Sequence, residues 1–196
     1  MSASLVGSEM CIRDRYKNGT PVQSYNEKNA FKETAGGYGS GYCYIDGLAF
    51  DKNGNLWMTS SEVNHAVLVL DKAGAWHRLD IEQLRGVYTI NDILITSTND
   101  KWIYVPRNTP KLVMIPNSES LDEVSSYEFT TLIDTDGKEL TPSNYTCVAE
   151  DKDGYIWVGT NRGAVYFTKP RISSAEDKAA TRCTRAVSYT HLTLPT

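Results

Sequence analysis

The 196-residue sequence predicts an all-β chain, a β-propeller fragment of four-stranded antiparallel blades: about three blades plus part of a preceding one. Three observations carry this reading. A sixteen-residue pattern recurs as IDGLAFDKNGNLWMTS (45–60), INDILITSTNDKWIYV (90–105) and YTCVAEDKDGYIWVGT (145–160). In each copy a tryptophan stands twelve residues after the start, Ile45 to Trp57, Ile90 to Trp102 and Tyr145 to Trp157. After each tryptophan come two more extended runs: 66–70 and 76–80, then 111–115 and 127–133, then 164–167 and 182–186. Four strands at a period of about 40 to 50 residues is the pattern of propeller blades. A lone antiparallel blade cannot bury both faces, whereas stacked blades bury each other's. The blade cores are accordingly drawn at 45–80, 90–133 and 145–186.

The elements follow in order. Residues 16–25, YKNGTPVQSY, read as two short extended pieces about Asn18-Gly19, the dipeptide best suited to a tight hairpin. Residues 26–34 are polar enough for a short helical turn. The glycine-rich 36–41, GGYGSG, has a strand after it and no helix, so it reads as a connection and not as a phosphate cradle. Each sixteen-residue repeat is a β-hairpin: a β-prone run, a polar turn, then an apolar run. In the third copy the turn is Asp151, Lys152, Asp153 and Gly154, and Gly54 holds the matching place in the first. Glycine there accepts a positive φ, and an aspartate side chain bonds nearby amides. The second copy lacks both Asp and Gly in its turn. Inserts at 80–88 (with one helical turn at 81–84), 116–122 and 173–180 lie between strands, and rim loops of this kind are where a propeller usually carries binding function.

Trp57, Trp102 and Trp157 are assigned to packing between blades, each burying about 150–250 Å²; a ligand-stacking platform is the competing reading. Three blades are too few for a ring, so the isolated chain is expected to expose apolar faces and to aggregate.

Both ends read as foreign to the fold. Residues 10–14, MCIRD, can be written ATG TGT ATA AGA GAC, whose reverse complement translates in frame as VSYTH, residues 187–191. One DNA element in two orientations, similar to a transposon-end library adapter, accounts for both ends. Residues 1–14 and 187–196 are therefore set aside, 15–186 is read as the partial propeller, and the native protein is expected to extend beyond both ends with any signal peptide upstream. Cys11 and His191 then carry no functional information.

Composition narrows the function classes. The net charge is −4 and the pI is about 5.4, which gives no basic surface for nucleic acid. No run approaches the roughly 18 apolar residues of a spanning helix, so no membrane insertion is expected. DKDG at 151–154 and DTDG at 134–137 resemble the start of a calcium loop, but neither continues with the glycine and acidic ligand that such a loop needs. His65 and His77 have no second ligand at helical or CxxC-type spacing. Cys43 and Cys147 in inner strands and Cys183 in the last strand read as buried small thiols ahead of a disulfide. No Ser sits in a nucleophile elbow and no catalytic grouping emerges from spacing. The expectation is no enzyme, no cofactor and no metal.

DKDGYIWVGTNRGAVYF, residues 151–167, resembles the two-component-regulator propeller repeat, and 51–59 keeps its turn and tryptophan. Four features point further: the first repeat, KAGAWHRL at 73–80, DGKELT at 136–141, and Pro170 leading to Cys183, Thr184 and Arg185. Together they are similar to the later propeller of PorZ-type proteins of the Bacteroidetes type IX secretion system. The resemblance implies a non-enzymatic scaffold in the periplasm or at the outer-membrane surface. Its implied partners are other envelope proteins of an attachment complex, with surface polysaccharide reached only through a domain not present in this chain. The alternatives are the periplasmic ligand-sensing propeller of a hybrid histidine kinase and, from a different class, a propeller lyase or lactonase.

Overall fold

The computed structural model of the chain describes residues 13–25, 30–31, 43–133, 137–167 and 183–185. The glycine-rich loop at 36–41, the 173–180 insert, Asp134 to Asp136 of the DTDG stretch and nearly all of the adapter-like ends fall outside these residues, as does most of 26–34. Strand β1 (Arg13–Lys17) pairs with β2 (Thr20–Tyr25) through a turn in which Asn18 and Gly19 both take positive φ, 53° and 80°. This is the hairpin geometry that an Asn-Gly pair favours.

Three four-stranded antiparallel sheets follow, each in simple sequential order. Blade 1 is β3 (Tyr44–Phe50), β4 (Leu56–Ser61), β5 (Val67–Leu70) and β6 (Trp76–Leu79). A 3-10 turn at Glu82–Leu84 leads to blade 2: β7 (Ile93–Ile95), β8 (Lys101–Val105), β9 (Lys111–Ile115) and β10 (Tyr127–Phe129). Strands β11 (Leu132–Ile133) and β12 (Glu139–Leu140) form a small separate hairpin. Blade 3 is β13 (Tyr145–Glu150), β14 (Ile156–Thr160), β15 (Gly163–Phe167) and β16 (Cys183–Arg185).

The expected single run at 127–133 is thus two strands. The chain bends after Phe129, and the bend lets Leu132 join Phe129 in the core beside blade 3.

Period-2 alternation sends each blade's side chains to two faces, and two apolar cores form between consecutive blades. The first joins Trp57, Val67 and Val69 of blade 1 to Ile93, Ile103 and Val113 of blade 2. The second joins Trp102, Leu112 and Met114 of blade 2 to Ile156, Val158 and Phe167 of blade 3. A third, smaller core covers the other face of blade 1, where Met58 and Leu68 meet Ala30, Phe31 and Cys43. Packing between sheets therefore supplies the burial that no blade achieves alone. The first strands of blades 1 and 2 lie against one another: a Cβ on Gly47 of β3 would stand 2.7 Å from the backbone nitrogen of Ile93 in β7, so only glycine allows this approach.

Two expectations are corrected. Cys147 is exposed, because alternation along β13 turns it to the outward face while Val148 packs inward; Cys43 is buried as expected. The 116–122 insert is not wholly a polar surface segment: Leu121, with Val124 just beyond it, packs on the core between blades 1 and 2.

Candidate functional site

The chemistry of the chain concentrates in the hairpin turns that join the first two strands of each blade. In blade 1, Asp51 Oδ1 accepts the backbone N–H of Asn53 and Asn55 at 2.9 and 2.8 Å. Its Oδ2 accepts Asn55 Nδ2 and Trp57 Nε1, both at 2.9 Å. In blade 3, Asp151 does the same for Asp153 and Tyr155 at 2.9 Å each, and for Trp157 Nε1 at 2.7 Å. One carboxylate thus closes the turn and fixes the indole of the following strand. Gly54 and Gly154 supply the positive φ, 85° and 80°.

Blade 2 makes the same reversal with other residues. Thr96 replaces the aspartate, and its hydroxyl accepts Asp100 N at 3.0 Å. Asn99 replaces the glycine at φ 68°, a conformation that Asn tolerates better than most side chains. The backbone bonds of the turn are kept, with Asn99 N to Thr96 O at 2.9 Å against Gly54 N to Asp51 O at 3.1 Å. The indole acceptor is not kept: Trp102 Nε1 is buried with no hydrogen-bond partner among the described residues. The carboxylate has moved to Asp100, in the place of Asn55. Asn55 Oδ1 accepts Lys72 N at 3.2 Å, and Asp100 Oδ1 accepts Asn117 N at 2.8 Å, a like bridge to the next turn of its own blade.

A third aspartate turn, not singled out in the sequence, joins β5 to β6. Asp71 accepts Ala75 N at 2.8 Å, and His77 stands in the tryptophan's place with Nε2 3.2 Å from Asp71 Oδ2. The signal was there: DKAG at 71–74 repeats DKNG at 51–54, and His77 follows Asp71 by the six residues that separate Asp51 from Trp57. On its other side His77 Nδ1 lies 3.7 Å from Asp122 of the blade 2 insert.

The electrostatics follow from these bonds. Burial would raise the Asp51 carboxyl, but the Trp57 indole, the Asn55 groups and Lys101 outweigh it and hold Asp51 below the ordinary range. The Trp157 indole N–H leads in lowering Asp151, and the Ala75 amide followed by His77 lowers Asp71. Asp46 is shifted the other way, since desolvation outweighs its bond from Ser61 Oγ at 2.6 Å. Lys101 is 2% exposed, with its ammonium 4.5 Å from the Trp57 ring centroid. Burial pulls its pKa down against the pull of Asp51 and Asp100.

These carboxylates are occupied. Asp51 accepts four N–H bonds and Asp151 three, so the carboxylate oxygens are used mainly to hold the turn and the indole. Among the described residues no three His, Cys, Asp or Glu side chains gather to hold a metal ion. No helix among them is long and apolar enough to cross a membrane.

What the turns do is join blades. Lys52 N donates to Asn99 Oδ1 at 2.9 Å, and Ser97 N to Glu150 Oε2 at 2.6 Å, linking blade 1 to blade 2 and blade 2 to blade 3. Near the first strands, Tyr104 OH accepts from Asn91 Nδ2 and donates to Thr146 O, each at 3.0 Å.

The tryptophans divide accordingly. Trp57 and Trp102 are each 1% exposed within the cores between blades. Trp157 is half-buried on the outward face of blade 3, stacked on Tyr166 with ring centroids 4.8 Å apart.

Residues 139–162, which contain the Asp151 turn and Trp157, match the family model described as "Two component regulator propeller". No curated protein sequence matches the chain. Among solved structures, PorZ of Porphyromonas gingivalis, described as an essential bacterial surface component of the type-IX secretion system, superposes with a TM-score of 0.75 at 16% identity. That likeness covers 89% of this chain and 24% of PorZ, so the chain spans about a quarter of that structure's length. The extracellular domain of the putative hybrid two component system BT3049 from B. thetaiotaomicron follows with a TM-score of 0.51 at 17% identity, over 76% of this chain and 18% of that one. Virginiamycin B lyase from Staphylococcus aureus reaches a TM-score of only 0.49 at 15% identity, over 74% of this chain and 42% of the lyase, too loose a likeness to bear on chemistry. The chain is a β-propeller fragment that carries a two component regulator propeller repeat and resembles PorZ in fold.

Proposed function

We propose that this chain is a non-enzymatic propeller scaffold within a cell-envelope protein, linked to type IX secretion and to the surface attachment of secreted cargo. The observation that supports it best is the extent of the fold likeness: 89% of the chain follows PorZ at a TM-score of 0.75. The site geometry agrees with a scaffold, since the polar groups of the turns are engaged in bonds within and between blades. On this reading the partners are other envelope proteins of the secretion and attachment complex, and the setting is the periplasm or the outer-membrane surface. Removing the segment in frame from the encoding bacterium, and measuring cargo on the cell surface against cargo released to the medium, tests the proposal. Cargo is expected to shift to the medium; unchanged surface cargo would reject the secretion role.

The second reading is the ligand-sensing propeller of a hybrid two-component histidine kinase, favoured by the likeness to the BT3049 domain. It predicts that the same deletion leaves surface cargo intact and abolishes a transcriptional response to an external ligand.

A further inference from the structure

We infer that the outward face of blade 3 docks a further blade of this same repeat type, one that sets a Lys or Arg side chain over the ring of Trp157. The proposal rests on the propeller architecture and is independent of the secretion reading.

Register supplies the first argument. Trp57 pairs across the sheet with Val69, and Trp102 with Met114; each of these four side chains is buried under the next blade. Trp157 and Tyr166 hold the same two positions in blade 3. There they form an aromatic ladder with Tyr155, whose ring stacks on Tyr166 at 5.7 Å and 23°. Ala149 and Cys147 beside them are exposed. This is a face built like the two covered ones, with no described residue packed on it as a blade.

Charge selects the occupant. At the blade 1–2 junction an aspartate bonds the indole N–H, and the next blade answers with Lys101, the residue before its own tryptophan, over the ring. At the blade 2–3 junction the aspartate is absent, and Ile156 fills the register place of Lys101 in the same core as Trp102. A carboxylate on the indole N–H adds negative potential at the ring, where a cation over the face is already favoured by the quadrupole. Without it, a buried ammonium has no counter-charge and an aliphatic side chain packs better. Blade 3 is of the first kind, since Asp151 Oδ2 accepts Trp157 Nε1 at 2.7 Å. The covering blade therefore needs a cation where blade 2 has Lys101.

The test extends the full chain with a fourth blade, a second copy of residues 90–133, carrying either Lys or Ile in the place of Lys101. With Lys, acrylamide quenching of Trp157, read against a Trp157→Phe control, is expected to fall. The Lys form should also exceed the Ile form by about fivefold in its folding equilibrium constant in urea, an order that Asp151→Thr inverts. Equal quenching with and without the added blade, or an Ile form as stable as the Lys form while Asp151 is present, would overturn the inference. Concentration-dependent protection of Trp157 in the unextended chain would overturn it in favour of a second copy as the occupant. A double-mutant cycle on Asp51→Thr and Lys101→Ile in the unextended chain checks the underlying rule whether or not the added blade folds. Coupling of about fivefold or more is expected, and additivity of the two changes would sink the rule.

Discussion

The turns of blade 1 and blade 2 reverse the chain in the same way with almost no residues in common. Blade 1 uses Asp51, Gly54 and Asn55; blade 2 uses Thr96, Asn99 and Asp100. The backbone bonds coincide, and so does the bridge from position 55 or 100 to the next turn. What differs is the carboxylate under the tryptophan. Blade 1 places a charge there and balances it with Lys101 from its neighbour, whereas blade 2 leaves Trp102 Nε1 in an apolar core with no partner among the described residues. The backbone geometry of a hairpin can thus be met by several residue sets, while the charge at the junction must be matched by the adjacent blade.

Four measurements break or sharpen this contrast. The largest effect is expected from Asp51→Ala, which removes the acceptor of four donors and leaves Lys101 and the Trp57 N–H buried without it. A loss of about 3–5 kcal/mol is expected, read as a lower urea midpoint at unchanged slope. Thr96→Ala, at the matching place in blade 2, should cost no more than about 1.5 kcal/mol.

Acid comes next. The carboxyls of Asp51, Asp71 and Asp151 are lowered on folding, so each contributes stability that is fully present above the unfolded carboxylate value of about 3.9 and is lost as pH falls through the folded value. Asp46 is raised and works in the opposite sense, favouring the folded state once it is protonated. The net expectation is a stability that falls steeply below about pH 4, with a shallower fall in Asp51→Asn. An identical pH profile in that variant would remove blade 1's charge from the account.

A smaller change should come from Thr96→Asp. It offers Trp102 the missing acceptor, but the new carboxylate lies near Asp100 and faces Ile156 instead of a cation. A net loss of about 1 kcal/mol is expected, recovered by adding Ile156→Lys; a gain from Thr96→Asp alone would show that the junction does not need matched charge. The smallest is Asn99→Gly, which relieves the positive φ but removes the bond from Lys52 N and the Asn117 contact, for a net loss of about 0.5 kcal/mol.

The repeat in the sequence was enough for the strands. Trp spacing and alternation located the first three strands of every blade, and Asn18-Gly19 located the first hairpin, because these are local patterns of period and turn chemistry. The second repeat looked degraded because the sequence was compared by residue type. Its geometry is intact because Thr96 and Asn99 meet the same backbone demands. The Asp71 turn went unread for a related reason: His77 hid the repeat that a tryptophan would have marked.

The sequence by itself determined the blade repeat, the hairpin turn before each tryptophan and the alternation of side chains along each strand, since these depend on contacts a few residues apart. Only the tertiary structure decided which face meets which. That Lys101 lies over Trp57, 44 positions away, that Glu150 holds Ser97, and that Cys147 faces outward are consequences of how one sheet stacks on the next. Such pairings have no period in the chain, because burial between blades is set by the approach of whole surfaces and by the charges they must cancel on contact.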